Sequence, residues 1–246
     1  MNIWLSEIDK QRFGMVTAKL NVEHSDNVED IERWCRQKMV SMLIIRCPAE
    51  HLEKMQQLER SGAEIMDTLV YYRKQEVTPV EVSLPAGYKT RLAVPDDASE
   101  LERVAKIAFS GFAGHYHADP RLSNDDCDMV YGSWAANSCM SKQVADEVLV
   151  IVHNNAIAGF LTLKCSASDT AEIALNAVDP NHQGVGIYNA LVGLARNWVV
   201  ERKLRSLIVS TQITNVAPQK VWCRHGFEPY RSFYTLHKWF GNNDSI

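Results

Sequence analysis

Apolar positions along this chain repeat with two spacings that trade places often. Residues 14–22 alternate as a strand does, and Ile31, Trp34 and Cys35, with Met39 one turn on, give 28–40 a helical spacing. Residues 42–47 form a short apolar strand stopped by Pro48. Leu52, Met55 and Leu58 then predict a helix over 49–61, with Gly62 as its stop. A further strand is expected over 66–73. Residues 76–89 contain Pro79, Pro85 and Gly87 and show no period.

A second block follows. Asp96 and Asp97 precede a helix with Leu101, Val104, Ala105 and Ala108 on one face, and either aspartate suits its N-cap. Residues 110–125 are irregular, and 127–139 look helical. Strands over 147–153 and 157–165 meet at Asn154-Asn155, a hairpin signal. A strand over 172–178 leads into a glycine-containing loop. From near Ile187 to Glu201 a helix places Leu191, Leu194, Ala195 and Trp198 on one face. A strand over 207–212, a helix over 216–225 stopped by Gly226, and a strand over 233–239 complete the series.

Strands and helices in this order predict a mixed α/β (α+β) fold. We expect a smaller N-terminal accessory α/β domain over 1–78, a linker over 79–88 and a second domain over 89–246. Residues 41–63 run strand, helix, glycine, as 206–227 do, with Gly62 and Gly226 in corresponding places. The first domain then reads as a half-copy of the second without its loop. Strand–helix–strand units resemble one another in any α/β protein, so both explanations stay open.

Composition narrows the function. With 246 residues, 46% of them apolar, the chain can bury a substantial core. A net charge of −4 excludes a broadly basic nucleic-acid surface, yet leaves room for an anionic ligand held by backbone N–H groups. Cys35, Cys47, Cys127, Cys139, Cys165 and Cys223 form no C-x-x-C pair and read as free thiols in a reducing compartment. The first ten residues lack the features of a signal peptide, and no apolar run reaches the roughly 18 residues of a transmembrane helix. A cytoplasmic protein with no membrane and no nucleic-acid partner is expected.

The most specific chemistry lies at Gln183-Gly184-Val185-Gly186-Ile187-Tyr188. A pyrophosphate needs several donors aimed at one place, and the free N–H groups of a helix start supply them with help from the helix dipole. Glycines there permit close approach. Two glycines alone are a weak sign. Downstream, however, stand Asn215 and then Gly226-Phe227. The set resembles the GNAT superfamily of acyl-CoA N-acyltransferases, whose pattern is Arg or Gln, two residues, Gly, one residue, then Gly or Ala. An Asn and a Tyr follow, ahead of Gly-Phe. Gln183, Gly186 and Asn215 match. Tyr188 replaces the second small residue, and Trp222 stands where the family has its tyrosine.

This resemblance implies a GNAT-like catalytic domain over 89–246, with a mixed, largely antiparallel central sheet flanked by helices, and acetyl-CoA as co-substrate, with no metal. The first domain resembles a half-GNAT. Residues Gln183, Gly184, Val185, Gly186, Ile187, Tyr188, Asn215 and Trp222 are expected at the cofactor. The strand end Asn176, Ala177 and Val178 is expected to splay and polarise the thioester carbonyl. An indole N–H is no practical acid, so Tyr234 is the expected proton donor to the thiolate. Glu172 and His117 are candidate bases. His115, Tyr116, Asp119, Arg121 and Trp134 are the candidate acceptor residues. His115, His117 and Asp119 are too close in sequence for an ordinary metal site.

The layout is similar to dTDP-fucosamine acetyltransferase-like enzymes, which acylate nucleotide-linked amino sugars for cell-surface polysaccharides such as lipopolysaccharide. The grounds are the accessory domain, Ser210-Thr211-Gln212 before Asn215, and the Tyr116/Trp134 segment. The expected partner is therefore a small-molecule amine, a nucleotide amino sugar, with a homodimer left open. The alternatives are acetylation of another small amine or an antibiotic, and a non-catalytic acyl-CoA sensor or scaffold.

Overall fold

The computed structural model describes residues 1–112 and 114–241. Ala113, in the irregular stretch, and 242–246, the tail of the expected second domain, lie outside the described residues. In chain order the elements begin β1 (Asn2–Leu5), α1 (Glu7–Phe13), β2 (Thr17–Asn21), α2 (Val28–Gln37), β3 (Met42–Pro48) and α3 (Leu52–Arg60). They continue with β4 (Glu64–Lys74), β5 (Tyr88–Leu92), α4 (Ala98–Ala108), α5 (Asn124–Met140), β6 (Glu147–His153) and β7 (Ala156–Ala167). Last come β8 (Thr170–Val178), α6 (Ile187–Glu201), β9 (Ser206–Gln212), α7 (Val216–Arg224) and β10 (Glu228–Trp239). The mixed, largely antiparallel sheet with flanking helices is as expected.

The chain divides into two compact units, and the division is not the expected contiguous one. The first holds Met1–Val70 with the described parts of 113–126 and 231–246; the second holds Tyr71–Phe112 and Cys127–Tyr230. The expected linker is no free connector. Its strand β5 pairs antiparallel with β6, from Tyr88↔His153 to Leu92↔Leu149. Ahead of β5, Asn197 on α6 bonds the Val80 N–H and C=O at 2.8 and 2.9 Å. Val77, Val82 and Leu84 pack against the core under α6. Gly193 makes this fit possible, because a Cβ there would sit 2.9 Å from Val82 Cγ2.

In the second unit the strand order is β9-β8-β7-β6-β5. One apolar cluster joins Ile173, Leu161 and Val209 to Ile187, Leu191, Ala195 and Trp198 of α6. The other joins Phe160, Leu175 and Ala177 to Leu101 and Val104 of α4 and Tyr131 and Ala135 of α5. The sheet is therefore covered on both faces. Asn154 and Asn155 turn the β6–β7 hairpin at φ 49° and 65°, the left-handed region that asparagine tolerates.

In the first unit β2 and β3 run parallel, and β10 pairs antiparallel with β3 from Phe233↔Pro48 to Trp239↔Met42. One face of this sheet is apolar, where Leu20, Ile45 and Leu236 meet Ile31, Cys35, Met55 and Leu58. The alternate positions carry polar groups. His237, fully buried, has Nδ1 2.8 Å from Asp119 Oδ2, and its Nε2 lies 2.9 Å from His115 Nδ1. Trp239 Nε1 and Arg121 Nε also donate to Asp119, at 2.8 and 2.7 Å. Tyr116 donates to the buried Asp9 at 2.9 Å, and Lys19 pairs with that carboxylate at 2.6 Å.

Burial raises the Asp119 carboxyl, but hydrogen bonds from His237, Arg121 and Trp239 outweigh it and hold the group well below the ordinary carboxylate range. Burial, with Arg46 and His237 nearby, keeps His115 neutral. A carboxyl depressed in the folded state stabilises the fold above its unfolded value of about 3.9, and the contribution fades as pH falls through the folded value. Asp119→Asn is therefore expected to cost about 2–4 kcal/mol at neutral pH, measured from urea midpoints. The difference from wild type should narrow below about pH 4. A gap that stays constant on acidification would show that the carboxylate charge is not what stabilises this interior.

Candidate active site

The site starts from an irregularity in β8. Residues 171, 173, 175 and 177 would share one face of an unbroken strand. Here Ala171 and Ile173 join the cluster under α6, whereas Leu175 and Ala177 join the one under α4 and α5. The pairing with β7 shows why: Leu163↔Ile173 is followed by Leu161↔Asn176, so β8 carries one extra residue. This is a β-bulge, and the Leu175 N–H is satisfied by Thr162 Oγ1 at 2.9 Å.

Beyond the bulge, β8 and β9 part. Their parallel pairing runs from Thr170↔Ser206 to Ile173↔Val209. Among the described residues, 174–178 have no partner on β9. Asn176, Ala177 and Val178 therefore border a gap in the sheet.

Past that gap the chain turns at Asp179, whose carboxylate accepts from the Asn181 N–H at 3.0 Å and pairs with Arg103 at 3.1 Å. Gln183 Nε2 donates back to the Val178 carbonyl at 3.3 Å. Gly184 and Gly186 follow with φ 78° and 95°, and a Cβ built on either meets nothing within 4 Å. Backbone conformation, not crowding, calls for glycine here, and the space before the loop is open. Gly186 is the N-cap of α6, and no side chain caps that helix. The first-turn N–H groups of α6 and the positive end of its dipole are thus unclaimed by side chains, which fits a diphosphate.

Across the gap, Asn215 Nδ2 donates to Thr211 Oγ1 at 2.9 Å, and Gln219 Nε2 donates to the Asn215 carbonyl at 2.9 Å. Tyr72 donates to Gln219 Oε1 at 3.2 Å, and its ring lies 5.4 Å from that of Trp222. Trp222 is 1% exposed and donates from Nε1 to Tyr188 Oη at 2.7 Å. Burial pushes the Tyr188 phenol up, and the Trp222 bond only partly offsets this.

Several expected roles meet different surroundings. Tyr234 lies in the first unit, with its ring against the apolar cluster of Leu20, Ile45 and Leu236. Core packing accounts for it without any role as acid. His115 and Asp119 are buried in the first unit and both bonded to His237, and the buried Tyr116 donates to Asp9. His117 is half-buried and Arg121 exposed in the same unit. Glu172 sits on the stretch of β8 still paired with β9, roughly 13 Å along the strand from Asn176. Trp134 packs against the cluster under α4 and α5. Sequence reasoning missed His237 and Trp239, because they lie on a strand far from the 115–121 segment in the sequence. Among the described residues, no group of three or more His, Cys, Asp or Glu is placed to hold a metal ion. No helix among them is long and apolar enough to cross a membrane.

Comparison with known proteins agrees with this geometry. The profile of the acetyltransferase (GNAT) family matches residues 113–227. The spore coat polysaccharide biosynthesis protein SpsD of Bacillus subtilis (strain 168) is 27% identical over 148 residues. That alignment covers 60% of this chain and spans only 50% of SpsD. A GCN5-related N-acetyltransferase from Sphaerobacter thermophilus has a similar structure, with TM-score 0.69 at 14% identity, covering 96% of this chain and 76% of that one. A tandem GNAT protein from the clavulanic acid biosynthesis pathway superposes with TM-score 0.65 at 17% identity, covering 93% and 76% of the two chains. Residues 113–227, which carry the bulged strand, the parted sheet edge and the glycine loop, thus match the acetyltransferase (GNAT) family, and the chain shares the fold of the two solved proteins.

Proposed function

We propose that this protein transfers the acetyl group of acetyl-CoA to the amino group of a nucleotide-linked sugar destined for a cell-surface polysaccharide. The observation that carries the cofactor half is the uncapped start of α6 behind Gly184 and Gly186. The N–H groups of Gly184, Val185, Gly186, Ile187 and Tyr188 hold the pyrophosphate, beside Gln183, whose own N–H is bonded to the Pro180 carbonyl. The pantetheine arm enters the gap between β8 and β9, bordered by Asn215. There the backbone of Asn176, Ala177 and Val178 polarises the thioester carbonyl, and the amine attacks it directly. The polysaccharide role in the name of SpsD supports the sugar half.

Release of coenzyme A thiol from acetyl-CoA, followed with dTDP- and UDP-amino sugars as acceptors, tests the whole reading. Turnover with at least one of them is expected, and its absence with every sugar sinks the acceptor class. A non-catalytic acyl-CoA sensor, the reading that Trp222 favours, would bind coenzyme A and turn over no amine at all.

The cofactor half has its own test. Gly186→Asp puts a carboxylate where the diphosphate sits, whereas Gly186→Ala brings the same left-handed backbone strain without charge. By calorimetry, coenzyme A should bind the Asp variant on the order of 10²-fold more weakly than wild type, and the Ala variant much less so. Equal affinity of wild type and Gly186→Asp would remove the loop from the site.

A further inference from the structure

The two positions at which this chain departs from the family pattern are bonded to each other. Trp222 stands in place of a tyrosine, Tyr188 in place of a small residue, and the indole N–H reaches the phenol oxygen at 2.7 Å. An indole has a donor and no acceptor, so the direction of this bond is fixed. It occupies a lone pair of the phenol oxygen and leaves the O–H proton aimed elsewhere. Among the described residues, no hydrogen bond claims that proton. Trp222 is 1% exposed and has little freedom to let go. Both rings pack in the same cluster as Ile173, Val178 and Val209, the residues that bound the gap between β8 and β9.

We propose that Tyr188 donates a hydrogen bond from its hydroxyl to the sulfur of the departing coenzyme A, with Trp222 as the positioning residue. The inference rests on the acetyl-CoA reading above and names a residue for its last step. The amine nitrogen bonds to the acyl carbon, the C–S bond breaks, and its electron pair goes to sulfur. The surplus proton on nitrogen passes to water, and the thiolate leaves held by the Tyr188 O–H. Burial keeps the phenol protonated through the neutral range, so it donates a hydrogen bond without surrendering its proton. A neutral thioester sulfur accepts weakly and a thiolate strongly. The bond therefore strengthens as the C–S bond breaks, the condition for lowering the barrier.

Coenzyme A itself serves as the probe, so no acceptor is needed. The thiol of bound coenzyme A is titrated by the ultraviolet absorbance of its thiolate, in wild type and in Tyr188→Phe. A donor to sulfur favours the thiolate, so the bound thiol should titrate about one pH unit higher in Tyr188→Phe. Trp222→Phe, which frees the phenol to turn, should give a smaller rise in the same direction. Identical midpoints in wild type and Tyr188→Phe overturn the assignment. A midpoint shifted by Tyr188→Phe but not by Trp222→Phe overturns the positioning role. Failure of wild type to bind coenzyme A overturns this inference and the proposed cofactor together. Normal binding without turnover of any amino sugar overturns the acceptor reading alone.

Discussion

A β-strand shows alternate residues to opposite faces, and one extra residue reverses that assignment for everything after it. In β8 the reversal falls between Ile173 and Leu175. Before it the strand is bonded on both sides; after it the bond to β9 is lost. A sheet otherwise closed by its own hydrogen bonds thereby acquires an opening with polar backbone at its edge. The rest of the site depends on that opening. The loop at Gly184 and Gly186 follows directly from the released end of β8, and α6 runs back along the sheet. Tyr188 and Trp222 fill the space beside the gap from two different helices. Unpaired strand edges are costly inside a protein, so the residue that causes the parting has a use in the finished fold.

The strap ahead of β5 complements this arrangement. Asn197 fixes it to α6 by both polar groups of one peptide residue, Val80, and Arg196 adds a bond to the Thr78 carbonyl at 2.9 Å. The helix that carries the loop is thus held on its sheet side by apolar packing and on its outer side by hydrogen bonds. These bonds fall in the C-terminal half of α6 and fix the axis of the helix whose first turn follows the loop.

Much of this was legible in the sequence where the signal was periodic. The apolar stripe of α6, the Asn154-Asn155 hairpin and the glycine loop all follow from local residue chemistry. Strand β5 was not legible, because its residues are half-buried or exposed and leave no alternation. The strap was missed for a related reason, since Val77, Val82 and Leu84 pack without any regular period. The bulge was invisible, because a single inserted residue in an apolar run alters no composition. Trp222 was recognisable as a departure, yet its partner Tyr188 lies 34 residues away, and only the fold pairs them. The cluster at 115–121 looked like a site because histidine and aspartate are the residues of catalysis. They are equally the residues of a buried network, and His237 and Trp239 complete one here around Asp119.

The pairing of β10 with β3 bears on how such a chain is made. Residues Ile45 and Leu236 face each other across adjacent strands, yet β3 is synthesised well before β10. As it emerges from the ribosome, the first unit lacks both β10 and the histidine that bridges His115 to Asp119. The second unit, between Tyr71 and Tyr230, needs no later segment. Vectorial synthesis therefore favours completion of the second unit first, with the first closing only when its last strand arrives. Until then β3 keeps an open edge, a row of unpaired N–H and C=O groups.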